Sequence, residues 1–173
     1  MLEELFKNKS LKPKERTEQL SKLVAEGTIS VSDLITFADH AKDPVKATCI
    51  ESLEFATKAT AKIINEKELA WVINCLAAKA PRIKWESAKV TGNVIHLFPK
   101  QIPAAVKRLL DNTENEGTVV RWSAAFALSQ ILKLKTKINT ELIPAVETII
   151  ANEEKNSIKK IYQDGLKKTK AVK

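Results

Sequence analysis

The chain has 173 residues, 44% of them hydrophobic and 29% charged, and a formal net charge of +8. This is the size and balance of one folded domain with enough apolar material for a core. Only four glycines and one tyrosine are available for β-turns and strands, and no stretch reaches the roughly 20 apolar residues of a membrane span, so the expectation is all-α without a transmembrane helix.

The N-terminal run Met1-Leu-Glu-Glu-Leu-Phe-Lys carries acids where a secretory leader needs cations, so a cytoplasmic location is expected. Leu2, Leu5 and Phe6 form one short apolar face, and Leu20, Leu23 and Val24 form another around the polar stretch Lys14–Gln19. Residues 1–29 therefore read as a helical N-terminal cap.

From residue 30 onward two kinds of amphipathic helix alternate. The first kind, A, covers roughly 31–41, 66–79, 101–112 and 140–151, with apolar side chains three and four residues apart. Leu69, Val72, Ile73 and Leu76 show the pattern in the second of these. The second kind, B, covers roughly 44–62, 81–97, 118–135 and 156–169. Ser30 and Thr140 suit N-caps, and Pro44 and Pro81 suit the first helical turn, where an amide donor is dispensable. Residues 112–117 form a polar turn, and 170–173 end a basic tail. The whole of 1–173 reads as one repeat domain, with four repeats over 30–169.

The B stretches share a register. They begin Val45-Lys46, Ile83-Lys84, Val120-Arg121 and Ile158-Lys159, in steps of 38, 37 and 38 residues. Each opens with a β-branched aliphatic and a cation, and continues with apolar or small residues four, seven and eight positions on, which is one helix face. A helix recurring at this period is the signature of a solenoid of stacked helix pairs, each burying its apolar face against its neighbours.

The pattern is similar to the HEAT repeat, whose second helix opens Val-Arg-x-x-Ala-x-x-Ala-Leu-Gly. Val120, Arg121, Ala124, Ala127, Leu128 and Ser129 match it best; Tyr162 and Gly165 depart from it in the fourth unit. The resemblance implies an α-α superhelix of about four helix pairs plus the N-terminal cap, with the B helices lining the concave side. It also implies that Lys46, Lys84, Arg121 and Lys159 join a ladder of hydrogen bonds with acidic or amide residues ahead of the B helices, for which Asp39 and Asn152 stand in place.

Candidates for chemistry are sparse. His40 and His96 are isolated, no Cys-x-x-Cys or His-Glu-x-x-His spacing occurs, and the four glycines are too dispersed for a phosphate loop. No catalytic residue, cofactor or metal is assigned, and Cys49 and Cys75 read as buried, reduced thiols. The informative feature is aromatic. With the first, fifth, eighth and ninth B positions buried, the third points roughly 160–200° away from the first. Trp85 and Trp122 occupy that third position, with Lys89 and Phe126 one turn on and Lys133 further along.

These residues nominate a groove of Trp85, Lys89, Trp122, Phe126 and Lys133 for a protein or peptide partner, in a binding or adaptor protein without catalysis. The alternative is a nucleic-acid binder related to HEAT-like alkylpurine DNA glycosylases, which resemble this chain in a basic, tryptophan-bearing groove. The Trp-Asp pair of that family is missing: Trp71, Trp85 and Trp122 are followed by Val72, Glu86 and Ser123. The excess charge is concentrated at the C-terminal end, where residues 156–173 hold six lysines against Asp164, a net of +5. The sequence leaves the oligomeric state open.

Overall fold

A computed structural model describes residues 1–170; Ala171, Val172 and Lys173, the last residues of the basic tail, lie outside them. Ten α-helices and no strand occur among the described residues: α1 (Leu2–Lys7), α2 (Pro13–Ala25), α3 (Val31–Asp39), α4 (Asp43–Ala59), α5 (Glu66–Cys75), α6 (Pro81–Val94), α7 (Ile102–Asp111), α8 (Thr118–Lys133), α9 (Asn139–Asn152) and α10 (Asn156–Lys170). Short 3-10 turns at Ala61–Ile63, Ile95–Leu97 and Pro99–Gln101 finish α4 and link α6 to α7.

The A helices α3, α5, α7 and α9 pair with the B helices α4, α6, α8 and α10. The N-terminal segment forms a further pair, with the polar stretch Lys14–Gln19 inside α2 rather than between helices. Arg16 holds that pair together: its guanidinium donates to the carbonyls of Leu5, Asn8 and Leu11 and lies 5.7 Å from the Phe6 ring centroid. Along the stack, α2, α4, α6, α8 and α10 pack extensively each against the next, whereas successive A helices touch far less. The B helices therefore form the more closely packed layer of the stack.

Local signals explain most boundaries. Ser30 accepts from the Asp33 amide at 3.0 Å and starts α3. Asn65 and Glu68 make a reciprocal capping box at α5. Pro44 and Pro81 sit in the first turns of α4 and α6. Gly27, at φ +74°, turns the chain out of α2. Thr140 does not cap α9; that helix starts one residue earlier, and Asn139 instead donates to the Leu132 carbonyl at 2.9 Å, tying α9 to the end of α8.

The buried face follows the repeat register. Ile83, Ser87, Val90 and Thr91 are buried on α6, and Val120, Ala124, Ala127 and Leu128 occupy the same positions on α8. The small residues let the B helices approach closely, and two glycines mark the tightest points. A Cβ on Gly92 would stand 2.5 Å from Phe126 Cε1, and one on Gly165 would stand 2.6 Å from Ser129 Oγ. In the fourth unit Tyr162 fills the volume that small residues leave elsewhere and is 1% exposed.

Three of the four motif cations are structural, through a ladder that differs in detail from the resemblance, whereas Lys159 makes no side-chain hydrogen bond or ion pair among the described residues. Lys46 bonds Asp39 at 2.9 Å within its own unit, while Trp71 of the next unit donates to both Asp39 oxygens and lies under the Lys46 ammonium. Lys84 reaches Asn112 Oδ1 at 2.8 Å, and Asn112 in turn donates to the Leu76 carbonyl. Arg121 forks onto Glu153, at 2.9 and 3.3 Å, and donates to the carbonyls of Asn115 and Glu116. The acceptor ahead of α10 is thus Glu153 rather than Asn152, because Arg121 reaches forward into the next unit's helix end. Burial alone would raise the Glu153 carboxyl, but Arg121 and the backbone amides of Lys155 and Glu154 hold it below its ordinary value.

Cys49 and Cys75 are free and buried, and burial pushes their thiols up to about 12 and about 11. At those values neither is a thiolate at neutral pH.

Candidate functional site

The B-helix layer presents an apolar stripe away from the core. On α8, Val119, Trp122 and Phe126 are spaced three and four residues apart and so share a face. Val119 is 51% exposed and Trp122 40%, while Phe126 is half-buried. The Trp122 and Phe126 rings lie almost parallel, at 6°, with centroids 6.2 Å apart. The Cδ1–Cε1 edge of Phe126 lies against Gly92 of α6. The stack therefore lies at the α6–α8 seam, where Gly92, having no side chain, leaves room for the Phe126 ring.

Beside the platform, Trp85 is half-buried on α6, and its indole Nε1 donates to Glu86 Oε1 at 2.7 Å. Lys89 does not project freely into the groove. Its ammonium lies 2.9 Å from Glu86 and 3.5 Å from Glu54, and both of these carboxylates are buried. Burial pushes the Glu86 carboxyl above its usual range, and the bonds from Lys89 and Trp85 offset this only in part. Burial would likewise lower Lys89, but Glu86 and Glu54 overcome it and hold the ammonium above its usual value. Glu51 extends the network, accepting from Thr17 of α2 and from Arg82 of α6 at 2.7 Å. The middle of the groove thus has three carboxylates satisfied by two cations.

Lys133 is also engaged, 3.3 Å from Asp164 across the α8–α10 seam. The five residues nominated from the sequence accordingly separate into two sets. Trp85, Trp122 and Phe126 form the apolar surface, and Lys89 and Lys133 are braces between neighbouring B helices. The third position is not uniformly outward either, since Ala47 on α4 is 1% exposed. Val119 escaped the sequence reading, although its three-residue step to Trp122 is the signal that would have found it.

Elsewhere, Phe6 and Phe37 stack at 5.4 Å beside a depression of about 630 Å3 on the A-helix side. Among the described residues no group of three or more His, Cys, Asp or Glu could hold a metal ion, and no helix is long and apolar enough to cross a membrane.

No protein-family model matches the chain, and no curated protein matches it. Solved structures do. A designed armadillo repeat protein in complex with the peptide (KR)4 is 20% identical, with a TM-score of 0.72 over 88% of this chain and 69% of that one. Designed armadillo repeat proteins for modular peptide recognition give 19% identity and a TM-score of 0.71, over 88% of this chain and 68% of theirs. An engineered protein at 15% identity covers 99% of this chain and 80% of its own, with a TM-score of 0.74. At these identities the likeness establishes the architecture: an α-helical repeat solenoid.

Proposed function

We propose that the protein is a non-catalytic binding scaffold whose concave B-helix layer holds an extended protein segment, with Trp85, Trp122 and Phe126 as anchors. The observation that carries this reading is the stripe Val119–Trp122–Phe126. Large apolar side chains left on a packed helical layer, and braced so that they stay flat, lose little entropy on binding and gain the burial that marks hot spots. The designed repeat proteins of similar fold, one of them in complex with a peptide, support a peptide-binding use of such a scaffold here. Two helices per unit and a cation ladder along the B helices favour a HEAT-like repeat over a three-helix armadillo unit.

Panning a displayed peptide library against the protein, and then assaying the selected peptides on Trp85→Ala/Trp122→Ala, tests the proposal. Selected peptides should lose binding to the double variant while its helical circular dichroism stays intact. Peptides that bind both proteins equally would place the interaction outside this groove.

A further inference from the structure

Resting on that reading, we infer that the bound segment is an extended peptide with apolar side chains over Trp85 and Trp122 and an acidic side chain over Lys160, at successive steps of about three residues. Neighbouring B helices lie about 8–10 Å apart, and an extended chain advances about 3.3 Å per residue. One helix is therefore crossed every three residues or so.

The acidic requirement comes from where charge is left unneutralised. Arg82 is paired with Glu51, and Lys89 with Glu54 and Glu86, so the middle of the groove offers a cationic or anionic ligand no free partner. On α10 the balance changes. Lys160 holds the third position that Trp85 and Trp122 hold on α6 and α8. Lys160 and Lys167 are both exposed, with no ion pair among the described residues. They border a shallow depression of about 550 Å3 with Gln163, Asp164 and Leu166. Asp164, its only carboxylate, is already bridged by Lys133 and Lys168, each at 3.3 Å. A ligand running from the tryptophans toward α10 thus passes from apolar, charge-satisfied ground onto free ammonium groups.

A nucleic acid fits this pattern poorly. Its phosphates recur at every nucleotide, and several would lie over the carboxylate-rich middle, where Glu51, Glu54 and Glu86 outnumber the cations. A peptide places its charge only where the lysines are. The segment therefore differs in sign from the (KR)4 peptide bound by the designed repeat protein of similar fold.

Fluorescence anisotropy with labelled peptides tests this. The probes carry leucine, tryptophan and glutamate, each separated by two serines, in both chain directions, with matched peptides in which lysine replaces glutamate. The glutamate peptide should bind about fivefold more tightly than the lysine peptide, since one exposed charge is exchanged from attraction to repulsion. Lys160→Glu should reverse that preference and Lys160→Gln should reduce it, Lys167 remaining; both should melt like the parent, because Lys160 has no partner to lose. Trp122→Ala should weaken all the peptides. Equal affinity of the two peptides, or an unchanged preference in Lys160→Glu, overturns the inference while leaving the peptide-binding reading in place. Absence of any Trp122-dependent binding removes that reading as well. Displacement of the glutamate peptide by an equimolar single-stranded oligonucleotide also overturns the inference, in favour of a nucleic-acid ligand.

Discussion

Substituting Gly92 by alanine should destabilise the protein, although alanine is the better helix former. In an open helical position the change would gain about 0.5–1 kcal/mol. Here the new Cβ would lie 2.5 and 2.9 Å from the Phe126 ring and 3.2 Å from Ala127 Cα. The ring is half-buried and stacked with Trp122, which opposes its moving aside, and overpacking of this kind costs about 1–3 kcal/mol. The net expectation is a loss of about 1–2 kcal/mol, or a fall in melting temperature of several degrees at about 2–4 °C per kcal/mol for a chain this long. Removing the ring should remove the two closest contacts and leave only the 3.2 Å approach to Ala127 Cα. In a Phe126→Ala background, Gly92→Ala should be neutral or slightly stabilising, which corresponds to a coupling of about 1–2 kcal/mol in a double-mutant cycle. Thermal and urea melts of the four proteins measure it. An identical effect of Gly92→Ala in both backgrounds, or stabilisation in the parent, would refute the claim that Gly92 exists to seat Phe126.

Ala124→Leu and Ala127→Leu should each lower the melting temperature more than Trp122→Ala, since both alanines are 0% exposed and Trp122 is 40% exposed; a larger loss in Trp122→Ala would make that ring part of the core. Two carboxylates should show opposite pH dependence. Glu153 lies below its ordinary 4.5 in the fold, so its contribution is present above that value and fades as the pH falls through the lower folded value. The stability gap between the parent and Glu153→Gln should then close on acidification. Glu86 is raised above 4.5, so the parent should lose ground to Glu86→Gln as pH rises from 4.5 through the raised folded value, with chemical denaturation across pH as the readout. Lys167→Gln/Lys168→Gln should elute from heparin at lower salt with little change in melting temperature, because both lysines are exposed; unchanged elution would move polyanion attraction away from these two lysines. Truncation after Leu166 is a poorer test of charge, because it also removes Thr169, which donates to the Leu132 carbonyl at 3.0 Å.

The sequence by itself determined the helical repeat, the register of its buried face and the positions of the tryptophans. Those properties follow from periodicity: Val45, Ile83, Val120 and Ile158 recur at 37–38 residues, and a residue's face on a helix depends only on its position along it. The structural role of Lys46, Lys84 and Arg121 came instead from the resemblance to the HEAT repeat, with the ladder it implies. What each side chain meets across a seam depends on the approach of helices that are 30 or more residues apart in the chain, and only the tertiary structure decided it. Lys89 and Lys133 look like groove cations along their own helices, yet Glu54 and Asp164, on neighbouring B helices, turn them into braces. Ala47 shares the third position with Trp122 and is nevertheless buried. Phe126 becomes a platform because Gly92, one repeat earlier, leaves room for it. Helical periodicity is a property of one segment, whereas exposure and charge pairing belong to the contact between two.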